Sequence, residues 1–278
     1  MLLSSLNSFV SSTEVQWVME RTGSQSKSEH PGQEDIAPRD SVFLELSGVS
    51  KSFGGIHAVK EVSLKIRKGE IVGLIGPNGA GKTTLFNLIT GFLRLDSGRV
   101  LFTGKDISHL YPHEISRVGI ARTFQFPKIF NNMSIIDNVL AGALKNSKDV
   151  VHCRKTAETL LETVKLVRYA NDPPSALTIA NRKQLEICRA LATSPQILLL
   201  DEAISGLTPK ETSEMTDLIM KISAQGITLF IIEHVMKFIM NISQRVVVLH
   251  HGQKIADGSP QIISENDDVV EAYLGKKK

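Results

Sequence analysis

The residues whose chemistry is easiest to interpret form a glycine-rich loop that ends in lysine and threonine. This phosphate loop, residues 76–84, follows a largely apolar run at residues 70–75 and precedes a helical pattern at residues 85–89. Glycines allow successive backbone N–H groups to face an anion, and a helix N-terminus adds further unpaired N–H groups. The spacing GxxxxGK[ST] in this strand–loop–helix setting predicts a site for the phosphates of a nucleoside triphosphate. The predicted binding residues are Gly76, Pro77, Asn78, Gly79, Ala80, Gly81, Lys82, Thr83 and Thr84.

Two carboxylates provide the chemistry that such a loop lacks. Lys82 can reach the β and γ phosphates, and the Thr83 hydroxyl can ligate Mg²⁺. Asp201 and Glu202 follow the apolar run of residues 197–200, and a parallel strand delivers its last residues to the ligand edge of a sheet. Alone, an acidic pair at a strand end could be a helix cap. Together with the loop, the pair predicts Asp201 as a metal ligand and Glu202 as the base that polarises the attacking water.

A histidine occupies the corresponding position after a further apolar run. Glu233 and His234 follow residues 228–232, so His234 is predicted to contact the γ phosphate and sense its hydrolysis. The alternative is an ordinary surface or core histidine. The two cysteines, Cys153 and Cys188, lie far apart in the sequence and are predicted to be ordinary thiols of a reducing compartment.

The elements that must position these residues alternate between strands and helices, which predicts an α/β protein with a mostly parallel sheet. Residues 59–66 alternate apolar and polar side chains, which is typical of a half-buried antiparallel strand. A helix is predicted at residues 156–168, with Leu160, Leu161, Val164 and Val167 on one face. The other predicted strands are residues 42–46, 98–102, 197–200, 228–232 and 246–249, with a helical region at residues 133–195 and a helix at residues 211–224.

Composition excludes several classes of protein. The 278 residues are 42% hydrophobic, which is enough for a packed core. The 32 basic and 29 acidic residues leave a net charge of +3, too weak to indicate nucleic acid as a partner. No apolar run approaches the ~18 residues of a membrane span. Residues 1–41 are predicted to be a disordered N-terminal extension because residues 24–40 are polar and proline-containing; the alternative is a short docking helix at residues 2–19.

In their order along the chain, these parts resemble the ATP-binding subunit of an ABC transporter. The resemblance covers residues 42–275. Residues 86–91, 232–237 and 271–275 further resemble the ATPases of branched-chain amino-acid importers. The resemblance implies a P-loop NTPase (ABC ATPase) fold with a RecA-like, mostly parallel sheet core and an antiparallel β subdomain. It also implies that residues 42–278 form one ABC ATPase domain, with a helical subdomain at about residues 126–195.

The family pattern assigns roles to two further residues. Phe53, before the phosphate loop, would stack on adenine because an aromatic face suits a purine; the alternative is a packed hairpin side chain. Gln125 would bind Mg²⁺ or the attacking water, and its alternative is an ordinary loop amide. Residues 126–139 would line the groove that receives the coupling helix of a membrane subunit.

The chain departs from the family pattern in its signature region. The family has LSGGQ or a close variant, whereas residues 177–181 here are Leu-Thr-Ile-Ala-Asn. The resemblance implies that Thr178, Ala180 and Asn181 contact the ATP of the opposite subunit. Both signature glycines are replaced, by Ile179 and Ala180, and their Cβ atoms would alter the approach to the γ phosphate. A similarly altered signature in some branched-chain importer ATPases favours a subfamily trait over an inactive site.

The resemblance implies Mg²⁺-dependent ATP hydrolysis at a dimer interface, energising the import of branched-chain or related hydrophobic amino acids. Its implied partners are membrane permease subunits, a second ABC ATPase subunit that is identical or different, and indirectly a periplasmic or extracellular solute-binding protein. The implied location is peripheral, at the cytoplasmic face of the inner or plasma membrane. One alternative is a nucleotide-binding regulatory or pairing subunit with attenuated hydrolysis. Another is an ABC ATPase that serves a different substrate.

Overall fold

Ten strands build the framework of the part of the chain that the computed structural model describes, residues 42–145 and 147–274. The predicted disordered extension at residues 1–41, with its alternative helix, lies outside these residues. The strands are β1 (Val42–Phe53), β2 (Ile56–Arg67), β3 (Ile71–Ile75), β4 (Ser97–Phe102), β5 (Lys105–Asp106), β6 (Ile120–Arg122), β7 (Ile197–Asp201), β8 (Thr228–Ile232), β9 (Arg245–His250) and β10 (Gln253–Gly258).

These strands divide into an antiparallel sheet and a mostly parallel sheet. The first has the order β2–β1–β4–β5 and the second the order β10–β9–β3–β8–β7–β6, with only β10 antiparallel in the second. Every residue of β3, β7 and β8 is buried, because a parallel sheet is covered on both faces. The predicted antiparallel strand at residues 59–66 and the predicted parallel sheet are both confirmed.

Helices cover the parallel sheet and connect its strands. None of those in the described ranges is long and apolar enough to cross a membrane. The helices are α1 (Lys82–Ile89), α2 (Pro112–Val118), α3 (Ile135–Ala143), α4 (Val150–Thr163), α5 (Ile179–Ala192), α6 (Pro209–Ala224), α7 (Met236–Ile242), α8 (Pro260–Ser264) and α9 (Asp267–Leu274).

One predicted helix has the wrong bounds. Helix α4 ends at Thr163, five residues before the predicted end, and Val167 is 43% exposed in a following 3₁₀ turn. The backbone turns at Lys165, whose φ is 59°. The N–H of Lys165 donates to the Glu162 carbonyl and the N–H of Leu166 to the Leu161 carbonyl, at 3.0 and 2.8 Å. These two bonds form a Schellman motif, which closes the helix even though the apolar periodicity continues.

The order of the strands explains how distant segments meet. Strand β8 lies between β3 and β7, and the register aligns Ile232 of β8 with Leu74 of β3 and with Asp201 of β7. The residues that follow these three strands therefore emerge at the same edge of the sheet. This edge carries the phosphate loop after β3, Glu202 after β7 and residues 233–234 after β8.

Candidate active site

The phosphate loop is built so that two of its glycines admit no side chain. A Cβ on Gly76 would overlap the carbonyl oxygen of Leu249, and one on Gly81 would overlap the carbonyl oxygen of Ala58. Gly81 also has a φ of 103°, in the left-handed region that disfavours other residues. The requirement for glycine at these positions follows from the close approach of neighbouring backbone as well as from the turn itself.

Within the loop, the Lys82 side chain folds back over the backbone. Its Nζ donates hydrogen bonds to the carbonyls of Gly76 and Pro77, at 2.6 and 3.0 Å. Asn78, Gly79 and Thr83 are exposed, so the loop presents backbone and hydroxyl groups to solvent. Among the described residues, none caps the N-terminus of α1 with a side chain. An anion can therefore take the N–H groups of that first turn.

The hairpin of β9 and β10 holds the phosphate loop through a backbone hydrogen bond. The N–H of Gly252, in the turn between β9 and β10, donates to the Ala80 carbonyl at 3.0 Å. The Gly252 carbonyl accepts from the N–H of Lys60 in β2, at 2.8 Å. Ala80 is itself buried. The phosphate loop is thus held by both sheets, which fixes its backbone before any ligand binds.

Asp201 is buried at the end of β7 with one oxygen paired and one unpaired. Its Oδ2 lies 3.1 Å from Nη2 of Arg122, and both side chains are almost fully buried. Its Oδ1 is buried and has no hydrogen-bond partner in the described part of the chain. Burial raises the pKa of the Asp201 carboxyl, while Arg122 lowers it. An unpaired, buried carboxylate oxygen at this position is a suitable ligand for a hard cation.

The three residues that sequence reasoning assigned to hydrolysis lie together. Nε2 of Gln125 donates to Oε2 of Glu202 at 2.9 Å. Nδ1 of His234 is 3.9 Å from Oε1 of Glu202, which is beyond hydrogen-bond distance. Glu202 has a φ of 52°, a left-handed conformation that is uncommon for a residue with a side chain. This turn directs its carboxylate away from the strand and toward Gln125.

Phe53 stands apart from this group, at the end of β1. It precedes the turn Gly54-Gly55, whose φ values of 53° and 84° are those that a two-residue hairpin requires. Its side chain is 48% exposed. Ala58, three residues into the next strand from Gly55, contributes the carbonyl that packs against Gly81. The hairpin therefore joins an accessible aromatic ring at the end of β1 to a strand, β2, that contacts the phosphate loop.

The signature residues form the N-terminus of α5. Thr178 caps this helix, and its Oγ1 accepts the N–H of Asn181 at 3.2 Å. The Ile179 side chain is 65% exposed, whereas Ala180 is buried. Of the two residues that replace the family's glycines, only Ile179 therefore presents its side chain to solvent at this end of the helix.

Three residues of the site escaped sequence reasoning: Arg122, Lys183 and Glu186, all buried. Arg122 donates to Oδ1 of Asn87 at 2.7 Å and to Oγ1 of Thr90 at 3.1 Å, in addition to Asp201. Its guanidinium lies 4.4 Å from the ring centroid of Phe124.

Lys183 and Glu186 occupy the buried face of α5. The sequence signal that could have identified Lys183 and Glu186 was two charged residues, three positions apart, on an otherwise apolar helix face.

An apolar groove opens beside this group. Its volume is about 320 Å³, and its lining includes Phe92, Phe124 and Phe130 together with residues of α2, α3 and α5. Phe130 is half exposed within this lining, and Phe126, four residues before it, is 74% exposed. An apolar groove with exposed aromatic side chains is typical of an interaction surface.

The fold and the loop geometry define a P-loop nucleotide-binding ATPase. A family model described as "ABC transporter" matches residues 59–205, and one described as "Branched-chain amino acid ATP-binding cassette transporter" matches residues 253–278. The chain belongs to the ABC transporter family of ATP-hydrolysing, ATP-binding subunits, as its sequence pattern predicted.

Relatives and solved structures agree with this assignment. The chain is 40% identical over 250 residues to the high-affinity branched-chain amino acid transport ATP-binding protein BraF of Pseudomonas aeruginosa, covering 84% of this chain and 98% of BraF. The ADP conformation of the ATP-binding cassette MJ1267 matches with a TM-score of 0.76 and 33% identity, over 85% of this chain and all of that one. The cassette MJ0796, solved as a dimer bound to ADP and Pi, matches with a TM-score of 0.72 and 26% identity, over 78% and 98%.

Proposed function

We propose that this chain is the ATP-hydrolysing subunit of an importer for branched-chain or related hydrophobic amino acids, acting through membrane permease subunits. The observation that carries the proposed chemistry is the 2.9 Å hydrogen bond between Gln125 and Glu202, at the strand edge from which the phosphate loop also emerges. The similarity to BraF and the family match at residues 253–278 support the substrate class.

In this proposal, the phosphate loop binds the triphosphate of ATP. Its backbone N–H groups and the N-terminus of α1 face the phosphates, and Lys82 exchanges the carbonyls of Gly76 and Pro77 for the β and γ phosphate oxygens. Phe53 stacks on the adenine with its exposed face. Binding therefore relies mainly on backbone that both sheets already hold in place.

The residues present suit a Mg²⁺ ion bound together with the nucleotide. The unpaired Oδ1 of Asp201, the exposed hydroxyl of Thr83 and the side-chain oxygen of Gln125 are the oxygen donors that this ion prefers. When bound, Mg²⁺ would offset the negative charge of the phosphates. Arg122 keeps Oδ2 of Asp201 occupied, so that Oδ1 is the oxygen left for a ligand.

Hydrolysis requires a base beside the γ phosphate, and Glu202 takes this role. Its carboxylate accepts a proton from water as the water oxygen bonds to the γ phosphorus and the bond to ADP breaks. Gln125 holds the Oε2 atom of this base at 2.9 Å and orients the water. His234, on the other side of Glu202, contacts the γ phosphate and then the released phosphate.

The proposed assembly rests on the family resemblance, and the apolar groove beside this site supports one of its contacts. A second ATPase subunit presents its own Thr178, Ala180 and Asn181 to the ATP bound here, as the family pattern implies. The apolar groove that Phe130 lines receives a permease coupling helix. Residues 42–278 act as one ABC ATPase domain with a helical subdomain at residues 126–195, held peripherally at the cytoplasmic membrane face. A solute-binding protein delivers the amino acid from the other side.

One observation favours a second candidate function, a regulatory or pairing subunit with attenuated hydrolysis. Ile179 exposes a branched side chain at the N-terminus of α5, where the family has glycine. In a closed dimer this side chain would keep the backbone of α5 away from the partner's γ phosphate. The partner's site would then be the weaker one.

The test is to assemble the full chain with its permease and ATPase partners in liposomes, and to measure ATP hydrolysis and uptake of labelled leucine with the solute-binding protein present. The proposal predicts leucine-dependent hydrolysis that disappears with Glu202→Gln in this chain. A many-fold rise in hydrolysis with Ile179→Gly in this chain would favour the second candidate, because that substitution removes the side chain that weakens the site. Transport of an unrelated solute in place of leucine would refute the substrate class.

A further inference from the structure

Helix α5 carries two buried charged residues on the face that points toward the active site. Lys183 and Glu186 are three positions apart, so they lie on the same side of the helix, and both are almost fully buried. Burying a charge is unfavourable unless it makes strong hydrogen bonds. What each side chain bonds to is therefore informative.

Lys183 bonds to the backbone of the proposed base. Its Nζ donates to the carbonyl oxygen of Glu202 at 2.6 Å. The N–H of Glu202 donates to the carbonyl of Ile232 in β8 at 2.9 Å. Glu202 is thus held from two sides in its left-handed conformation, by β8 and by α5, and this conformation determines the direction of its carboxylate.

Glu186 bonds to the backbone on both sides of Gln125. Its Oε2 accepts the N–H of Phe124 at 3.2 Å, and its Oε1 accepts the N–H of Lys128 at 2.8 Å. The loop from residue 124 to residue 128 therefore closes around one carboxylate. Gln125 lies inside this closed segment, so its position relative to α5 is fixed.

We infer that Lys183 and Glu186 are positioning residues for hydrolysis, through which α5 sets the distance between Glu202 and Gln125 within one subunit. Lys183 acts through the carbonyl of Glu202, and Glu186 acts through the loop that carries Gln125. A tilt of α5 would displace both members of the pair. The inference rests on the proposed roles of Glu202 and Gln125, and it adds a function for α5 in its own subunit besides the proposed contact to a partner's ATP.

Two substitutions test the inference in the full chain, assembled with its transporter partners. Lys183→Met removes the donor but keeps the aliphatic stem. Glu186→Gln keeps the volume but replaces one acceptor oxygen with an NH₂ group that faces a backbone N–H. We expect kcat to fall about ten- to a hundredfold because small misplacements of reacting groups have effects of this size. The Kd for ATP should stay within about twofold, since the phosphate loop is untouched.

Matched variants separate positioning from general damage. Gln184→Met introduces the same methionine side chain at the next position, which is less buried. This variant should leave kcat unchanged. Lys183→Arg should restore part of the rate. In the Glu202→Gln background, Lys183→Met should add no further loss, because Lys183 acts only through the side chain already removed. If Lys183→Met fails to bind ATP through misfolding, the isosteric Glu186→Gln carries the test.

The outcomes distinguish this inference from the proposed function. If Glu202→Gln lowers the rate of hydrolysis by about 10² or more while Lys183→Met and Glu186→Gln keep the wild-type kcat, the positioning role is wrong and the proposed base stands. A further loss on adding Lys183→Met to Glu202→Gln, or a parallel loss of ATP binding in a variant that is correctly folded, would show a general structural role and overturn the inference. Hydrolysis that survives Glu202→Gln would contradict the proposed base itself.

Discussion

The two halves of the active site are held in place by different kinds of group, backbone in one and side chains in the other. The phosphate loop is shaped by backbone, with glycines at positions where a Cβ would overlap neighbouring carbonyls and with the turn at Gly252 beneath it. The second half, here named the carboxylate edge, consists of Gln125 and Glu202 together with four buried charged side chains, Arg122, Lys183, Glu186 and Asp201. This difference indicates that the loop is set up for binding before ligand arrives, whereas the geometry for hydrolysis depends on the position of α5.

Breaking the carboxylate edge should have the largest effect on stability. Arg122→Leu removes the guanidinium that pairs with Oδ2 of Asp201, where both side chains are almost fully buried. Leaving one buried charge unpaired lowers the free energy of unfolding by about 3 to 5 kcal/mol. Urea denaturation followed by circular dichroism measures this change.

An exposed ion pair on α4 supplies the control for that prediction. Arg154 and Glu158 lie 3.5 Å apart with about half of each side chain exposed. Arg154→Leu should cost less than about 1 kcal/mol because solvent screens such pairs. Equal effects of the two substitutions would contradict the view that buried charges organise the carboxylate edge.

The next largest effect is expected in the pH dependence of the free energy of unfolding. Burial raises the pKa of Glu233 to about 7 from 4.5, and the nearby Lys183 lowers it only in part. Between these two values the folded chain holds a proton that the unfolded chain releases, so this group makes the protein less stable as pH rises toward 7. Glu233→Gln, which can still accept the Ile204 N–H, removes that dependence.

The measurement is the free energy of unfolding of both proteins at pH 5, 6 and 7. The difference should shift in favour of Glu233→Gln by up to about 1.4 kcal/mol per pH unit across this window. Parallel pH profiles for the two proteins would mean that Glu233 titrates at its ordinary value.

Breaking the phosphate loop should affect binding more than stability. Gly81→Ala places a Cβ against the Ala58 carbonyl at a φ of 103°. We expect ATP affinity to fall at least about tenfold, since the N-terminus of α1 must shift. Gly104→Ala, at a φ of 78° with open space around the new Cβ, is the control. It should lose about 1 to 2 kcal/mol of stability and keep its ATP affinity.

The smallest effect is expected at the signature region. Ile179→Gly removes an exposed side chain from the first turn of α5 and should cost about 0.5 to 1 kcal/mol of stability. If the altered signature closes a working site, hydrolysis in the assembled complex stays within about twofold of wild type. A many-fold rise in ATPase activity would instead support the attenuated subunit.

The difference between backbone and side-chain contacts also explains which parts of the site could be predicted from the sequence. The phosphate loop was predictable because glycine at Gly76 and Gly81 is required by local backbone geometry, and local requirements appear as motifs. The strand ends were predictable because buried parallel strands are continuous apolar runs. Lys183 and Glu186 were not, because their partners are the backbone groups of segments distant in the sequence. The end of α4 was missed because Lys165 occupies a left-handed position where glycine would have been the signal.

The proposed base for ATP hydrolysis in this chain is Glu202. The most direct test of this role is the single-turnover rate of ATP hydrolysis by the assembled complex, with wild-type chain and with Glu202→Gln, alongside the Kd for ATP. The rate should fall by about 10² to 10⁴, the usual contribution of a general base, while the Kd stays unchanged. A near-normal rate with Glu202→Gln would contradict this role and would assign the base to another residue.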